Sequence, residues 1–164
     1  MADARQEELD RIWSLIKDAR VAMLTSEREG RLYSRPMVAS QKGFDGSLWF
    51  FTRKSSPKVA EVEGHRQVNV AYASASDNSY VSLSGSASLV QDRTAIDAHW
   101  NEWIKTWFPD GKDDPDLALL RVDVDTAEYW DAPSSKMVIA FDYLKARVTG
   151  KTPDTGENRK VDLR

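Results

Sequence analysis

Residues 49–59 read WFFTRKSSPKV, and within a few positions the side chains change from aromatic to hydroxyl-bearing and cationic. A buried strand that ends just before a helix would produce this change, with Ser56 as the helix N-cap and Pro57 at the first helical position. A ligand with a flat apolar body and a charged tail would require the same gradient. The stretch therefore predicts a strand followed by a helix. A ligand bound beside the junction of the two is the more specific, functional interpretation.

Three side chains of this stretch could hold a phosphate: Thr52 at the strand end, Ser56 at the N-cap and Lys58 in the first helical turn. A phosphate dianion binds to hydroxyl donors, to a cation and to the free N–H groups of a helix N-terminus, where the helix dipole also favours it. A lysine in the first turn opposes that dipole, which indicates an anion nearby. In the alternative interpretation Ser56 only caps its own helix and the cations face water. Local chemistry alone favours this alternative, because such caps are common.

Upstream, the segment SRPMV (34–38) contains a second candidate contact. Pro36 cannot donate to a strand ladder, so this strand lies at a sheet edge or carries a bulge. The backbone groups left free there could bond a heterocycle, and Arg35 adds a planar fork of donors. A plain edge strand with a surface arginine explains the segment equally well.

Alternating apolar and polar residues predict five or six antiparallel strands along the chain. The predicted strands are 21–26, 32–40, 47–53, 67–74, 79–90 and one marked by Leu120, Val122 and Val124 that runs to Trp130. Gly85 is a candidate bulge within the fifth strand. Strands with helices at the ends and in the connections indicate a small barrel, whose closure also removes exposed sheet edges.

Apolar residues at helical spacing predict three longer helices. The first carries Leu9, Ile12, Trp13 and Ile16, the second spans 92–107, and the third carries Met137, Phe141, Leu144 and Val148 and ends at Gly150. Three indoles of the second helix (Trp100, Trp103 and Trp107) form one stripe, which is more typical of packing than of a ligand site. The prediction is a single domain over residues 1–150, followed by a loose polar tail over 151–164.

The composition excludes several kinds of site. The chain has 164 residues, no cysteine and two histidines, so disulfides, thiolate metal sites and cysteine nucleophiles are excluded, and no metal site is expected. A formal net charge of −3 argues against nucleic acid and anionic membranes as partners. No apolar run is long enough to span a membrane and no signal-peptide pattern opens the chain, so a cytoplasmic location is expected. No catalytic pair or triad can be singled out, so no catalytic residue is predicted.

Taken together, residues 30–59 resemble the flavin-binding segment of the pyridoxamine 5′-phosphate oxidase-like superfamily. In that segment an arginine-bearing strand leads through a glycine turn to an aromatic-threonine strand end, followed by a serine and a lysine. The general stress protein branch is the nearer match, because the motifs SRPM, WFFT, SPK, YVSLSG, EYWD and KARVTG follow one another in the same order. The resemblance covers about residues 5–150.

This resemblance implies a mainly β fold, a six-stranded antiparallel split β-barrel of Greek-key type with peripheral helices. It also implies a homodimer with FMN, or FAD, bound between the subunits. The residues that it assigns to the flavin are Arg35, Met37 and Val38 for the isoalloxazine, Phe50 and Phe51 for the ring or ribityl chain, Thr52, Ser56 and Lys58 for the phosphate, and Trp130 from the partner subunit.

The sequence departs from the oxidases of this superfamily around the substrate. Their arginine and histidine after the tryptophan are replaced by residues 131–136, Pro57 stands where a second phosphate-binding cation would lie, and Tyr80 replaces a glutamine near the flavin. We therefore expect a flavin-binding general stress protein, acting as a flavin reservoir or as a reductase. A scaffold module that keeps the barrel without needing flavin is the alternative, and oxidation of pyridoxamine 5′-phosphate is the least favoured activity.

Overall fold

The computed structural model describes residues 2–132, 136–152 and 156–164, with the side chains of residues 2 and 136–138 left outside the description. The helices are α1 (Ala2–Ile16), α2 (Pro57–Gly64), α3 (Arg93–His99) and α4 (Lys136–Thr149), with short 3₁₀ turns at Ile104–Thr106 and Gly111–Asp113. The strands are β1 (Val21–Arg28), β2 (Arg31–Val38), β3 (Ser47–Arg53), β4 (Gln67–Ser74), β5 (Ser79–Val90), β6 (Leu117–Asp131) and β7 (Glu157–Asp162).

The strands form one curled antiparallel sheet in the order β2-β1-β4-β5-β6-β3, and β7 adds to β6 beside this path. An isolated bridge between Ala39 and Phe50 brings the two ends of the path together, just beyond β2 and within β3. The predicted split barrel is confirmed. Pro36 lies on β2, the first strand of the path, where a missing N–H costs least.

The predicted bulge at Gly85 is confirmed by a shift of register between Ser84 and Gly85 on β5, opposite β6. A Cβ atom at Gly85 would lie 2.0 Å from the carbonyl oxygen of Asp123. The close approach of these two backbones therefore requires glycine, and it bends the long β5–β6 pair.

The core has two parts. The larger part lies inside the curled sheet and receives Leu9, Ile12 and Ile16 of α1, which confirms the predicted stripe on that helix. The smaller part lies under the connection between α3 and β6 and includes Ile104 and Phe108. The second part is important for the site, because it supports one wall of a pocket.

The predicted helix over 92–107 is wrong in its second half. Helix α3 ends at His99, because Trp100 has extended backbone angles (φ −67°, ψ 139°). Asn101 then accepts a hydrogen bond from the Ile104 amide through its side chain, at 3.2 Å, and this local bond starts a new turn in place of continuing the helix. The three indoles therefore do not share one helical stripe.

The tail predicted to be loose contains an ordered strand. Residues 157–162 form β7 in register with residues 126–131 of β6, and Leu163 beyond it is buried in the main core. Backbone pairing along the β6 edge, with one apolar anchor, outweighs the polar composition that suggested a free tail.

Helix α4 has a mostly exposed apolar face. Phe141, Leu144 and Val148 of the predicted stripe are all exposed, and Met137 lies outside the described side chains. Within the described chain, no helix has both the length and the apolar character needed to cross a lipid bilayer.

Candidate binding site

A cavity of about 790 Å³ opens where β2 and β3 end and α2 begins. Its polar end is lined by Thr52, Arg53, Ser55, Ser56 and Lys58, and its apolar part by Val21, Pro36, Met37, Val38, Phe51, Trp103, Ile104, Trp107 and Phe108. A volume of this size suits a small-molecule ligand, for which pockets of about 300–1,000 Å³ are usual. The change from aromatic to polar side chains along WFFTRKSSPKV is therefore repeated in the cavity, with Phe51 in its apolar part and Thr52, Ser56 and Lys58 at its polar end.

The polar end is organised around the ammonium group of Lys58. Its Nζ donates to the Ser56 hydroxyl at 2.8 Å and to the Thr52 hydroxyl at 3.1 Å. Within the described residues, no carboxylate lies within ion-pair distance of this half-buried ammonium. A partly buried cation surrounded by hydroxyl groups can accept an anion without first breaking an ion pair.

The surroundings of Lys58 also weaken its hold on the proton. Burial, and after it the charge of Arg35, lowers the pKa of Lys58 below its ordinary value, while the carboxylate of Glu61 opposes this change. An anion bound in the cavity would reverse the effect, because it would favour the charged ammonium.

Ser56 is the N-cap residue of α2 and Pro57 occupies the first turn, as the sequence predicted. However, the Ser56 side chain makes no capping hydrogen bond to this helix in the described structure. The interpretation in which Ser56 serves only as a cap therefore loses its support. Its hydroxyl contacts Lys58 and faces the cavity.

Other polar residues of the same stretch have a structural role. Arg53 pairs with Asp114 at 3.3 Å and lies over the Phe108 ring at 5.0 Å. Ser55 donates to Asp116 at 2.6 Å through its hydroxyl. These contacts fasten the end of β3 to the segment that precedes β6, so the stretch combines structural and ligand-facing side chains.

The segment 100–116 supplies a wall that the sequence did not predict. Within this segment, Ile104 and Phe108 are buried in the smaller part of the core and hold the segment in place. Trp103 and Trp107 line the cavity, are 46% and 60% exposed, and meet edge to face with ring centroids 6.3 Å apart. The indole spacing was visible in the sequence, but the proximity of these residues to β3 depends on the tertiary fold.

Arg35 lies behind the polar end, outside the residues that line the cavity. Its guanidinium donates to Glu61 at 2.6 Å and to the Ser26 hydroxyl at 2.5 Å. The ion pair with Glu61 joins β2 to α2. In this arrangement the guanidinium N–H groups of Arg35 already donate to Ser26 and Glu61, beside the cavity.

A profile of the family described as pyridoxamine 5'-phosphate oxidase like matches residues 7–154. The chain belongs to this family. General stress protein 26 of Bacillus subtilis is 27% identical over 124 residues, which cover 74% of this chain and 84% of that protein.

Solved structures of the family superpose well on this fold. One described as a general stress protein 26 from a Jannaschia species has a TM-score of 0.75 and 29% identity, covering 99% of this chain and 99% of that chain. The general stress FMN/FAD binding protein from Xanthomonas citri has a TM-score of 0.70 and 35% identity, covering 79% of this chain and 92% of that chain.

Six of the nine residues that the resemblance assigned to flavin line the cavity: Met37, Val38, Phe51, Thr52, Ser56 and Lys58. Phe50 does not line it, because neighbouring strand residues point to opposite faces and Phe50 is fully buried in the main core. Its predicted contact with a flavin ring is therefore not supported by this geometry.

Trp130 lies on β6, away from the cavity of its own chain, and is 40% exposed. It is in register with Tyr80 on β5, which is 42% exposed. A contact between Trp130 and a flavin would therefore have to come from a second copy of the chain. Residues 131–136, which stand where the oxidases carry an arginine and a histidine and which lack that pair, lie partly outside the described residues.

Proposed function

We propose that this chain binds FMN in the cavity between β2, β3, α2 and the segment 100–116. The ring system would contact Met37, Val38 and Phe51, and the phosphate would be held by Lys58 with the hydroxyls of Thr52 and Ser56. The observation that carries this proposal is the half-buried Lys58 ammonium, bonded to two hydroxyls at the end of an apolar cavity.

The charge and shape of the cavity fit this group. A phosphate monoester carries a charge of about −1.5 to −2 at neutral pH and offers several acceptor oxygens. The exposed indoles of Trp103 and Trp107 and the half-buried Phe51 offer flat apolar surface to a ring. The Xanthomonas relative described as FMN/FAD binding supports the choice of a flavin, and FAD stays an alternative cofactor.

Within this proposal the protein acts as a general stress flavoprotein, either storing flavin or reducing an acceptor. A bound flavin would supply reversible electron transfer, and the protein groups described here would bind and orient it. The oxidoreductase role and the cytoplasmic location remain predictions. The net charge of −3 is the feature that argues against nucleic acid as a partner.

Titration with FMN tests the proposal directly. We expect the protein to quench FMN fluorescence and to retain a flavin absorbance spectrum after gel filtration. At a hundred times its dissociation constant, FMN should stabilise the fold by about 2.7 kcal/mol, seen as a higher melting temperature. No binding at tens of micromolar FMN would refute the proposal.

The exposed apolar face of α4 favours a second candidate function, that of an interaction module which keeps the barrel without needing flavin. This alternative predicts that saturating FMN leaves the melting temperature unchanged.

Adding a reduced nicotinamide to the flavin-loaded protein then distinguishes a reductase from a reservoir, because only a reductase bleaches the flavin absorbance. Measured turnover of pyridoxamine 5′-phosphate would be needed to revive the oxidase alternative.

We also propose a homodimer in which Trp130 of one subunit approaches the flavin of the other. Its support is the exposure of the neighbouring pair Trp130 and Tyr80, together with the exposed apolar face of α4. Exposed apolar patches commonly mark interaction surfaces between protein chains.

A further inference from the structure

Helix α2 carries a buried carboxylate one turn after Lys58. The Glu61 side chain is only 6% exposed, although carboxylates are rarely buried unless they are paired. Glu61 does not line the cavity, so the proposed flavin contacts do not account for it. The neighbours of Glu61 therefore indicate what it does.

Three polar groups from two strands converge on Glu61. Ser26 of β1 donates to it at 2.6 Å, Arg35 of β2 donates at 2.6 Å, and Arg28 of β1 lies 3.7 Å away. Burial raises the pKa of Glu61, but the Ser26 hydrogen bond and the Arg35 charge outweigh it, and the net pKa lies below the ordinary value. Glu61 is therefore an anion at neutral pH.

The same carboxylate acts on the proposed phosphate site. Arg35 is close enough to Lys58 to lower its pKa, and Glu61 is close enough to raise it. The charged groups in contact with Glu61 are Arg28 of β1 and Arg35 of β2, and Lys58 lies one turn earlier on its own helix.

We propose that Glu61 is a positioning residue of the flavin site: its buried carboxylate fastens α2 to Arg35 of β2 and Ser26 of β1, and so holds the Lys58 ammonium at the polar end of the cavity for a phosphate. This inference rests on the proposed flavin function. It assigns the polar end to a terminal phosphate monoester, and it gives a role to a residue that does not line the cavity.

The test compares Glu61→Gln with Glu63→Gln, a matched change at an exposed position on the same helix. Each variant is titrated with FMN and with riboflavin, which lacks the phosphate. We expect Glu61→Gln to weaken FMN binding about tenfold, near the lower limit for losing a hydrogen bond to a charged group. Riboflavin binding should change less than about twofold, since it makes no such contact, and Glu63→Gln should match the wild type.

A second readout is the pH dependence of FMN binding. Glu61 favours the charged form of Lys58, so its removal should move the alkaline loss of FMN affinity to lower pH. Should Glu61→Gln be insoluble, Ser26→Ala removes one hydrogen bond from the same carboxylate. It should lower the ratio of FMN to riboflavin affinity in the same direction by a smaller factor.

The possible failures can be distinguished. A wild-type protein that binds no FMN refutes the flavin site, and this inference with it. A wild type that binds FMN while Glu61→Gln keeps the same affinity ratio and the same pH profile overturns the inference alone. Equal losses of FMN and riboflavin affinity in Glu61→Gln would show a purely structural role for Glu61. Tighter FMN binding would show that Glu61 only repels the phosphate. Either result would also overturn the inference.

Discussion

At the scale of single residues, the charge of Lys58 is the feature that separates phosphate binding from simple packing. Its ammonium contacts only the Thr52 and Ser56 hydroxyls at hydrogen-bond distance within the described chain. Replacing it in Lys58→Met keeps an apolar stem and removes the donor. We expect a loss of about 1.5–3 kcal/mol of FMN binding free energy, measured by fluorescence titration, with little effect on riboflavin. Equal losses for both flavins would contradict the assignment of this end to phosphate.

The lowered pKa of Lys58 adds a pH prediction. The free protein loses this proton at a lower pH than an ordinary lysine, whose value is 10.5, because burial disfavours the charged form. FMN affinity should therefore begin to fall as the pH rises through that lowered value. Lys58→Arg keeps its charge up to about pH 12, so its FMN affinity should persist to higher pH. An identical alkaline fall in both proteins would show that another group is responsible.

At the scale of secondary-structure elements, the β5–β6 pair depends on Gly85. An added Cβ would collide with the backbone of Asp123 and Val124, which cannot rotate away as a flexible side chain could. Gly85→Ala should therefore lower the free energy of unfolding by about 1–3 kcal/mol, measured by denaturant melts. Gly64→Ala is the matched control, because no atom lies within 4 Å of its added Cβ, and it should leave stability unchanged or slightly higher. Equal melts for the two variants would contradict a required glycine in the bulge.

The segment 100–116 is predicted to bind the flavin ring rather than its phosphate. Trp103→Ala and Trp107→Ala remove exposed indoles that line the cavity but lie above the buried anchors Ile104 and Phe108. We expect each to weaken FMN and riboflavin alike, by about 1–3 kcal/mol if a ring stacks there. Leu32→Ala, an exposed change at the β1–β2 hairpin, is the control. Selective loss of FMN alone would contradict this assignment.

At the scale of the whole molecule, the sequence predicted those features whose residues lie close together along the chain. The β3 strand, the Pro57 start of α2 and the polar trio of Thr52, Ser56 and Lys58 lie within a dozen residues, so their proximity needs no tertiary information. The tryptophan wall lies some fifty residues further along the chain and depends on how segment 100–116 folds back.

Two other features were missed for physical reasons of the same kind. β7 was missed because its stability comes from the β6 edge and from Leu163, which a polar composition conceals. The Glu61–Arg35 pair joins a helix to a strand, and neither residue signals the other in sequence.

The proposed homodimer provides the last test at this scale. Trp130 does not line the cavity of its own chain, so an effect of this residue on flavin binding would have to act through a second copy. We expect light scattering after gel filtration to give twice the 18.5 kDa chain mass at micromolar concentration. An obligate dimer of this kind typically buries about 2,000 Å² or more, which keeps the monomer scarce. Trp130→Ala should weaken FMN and riboflavin together, since an indole contacts the ring, while Leu32→Ala should bind both normally. A monodisperse monomer with full FMN affinity would refute both the shared site and the role given to Trp130, because no second subunit would then be needed to complete the pocket.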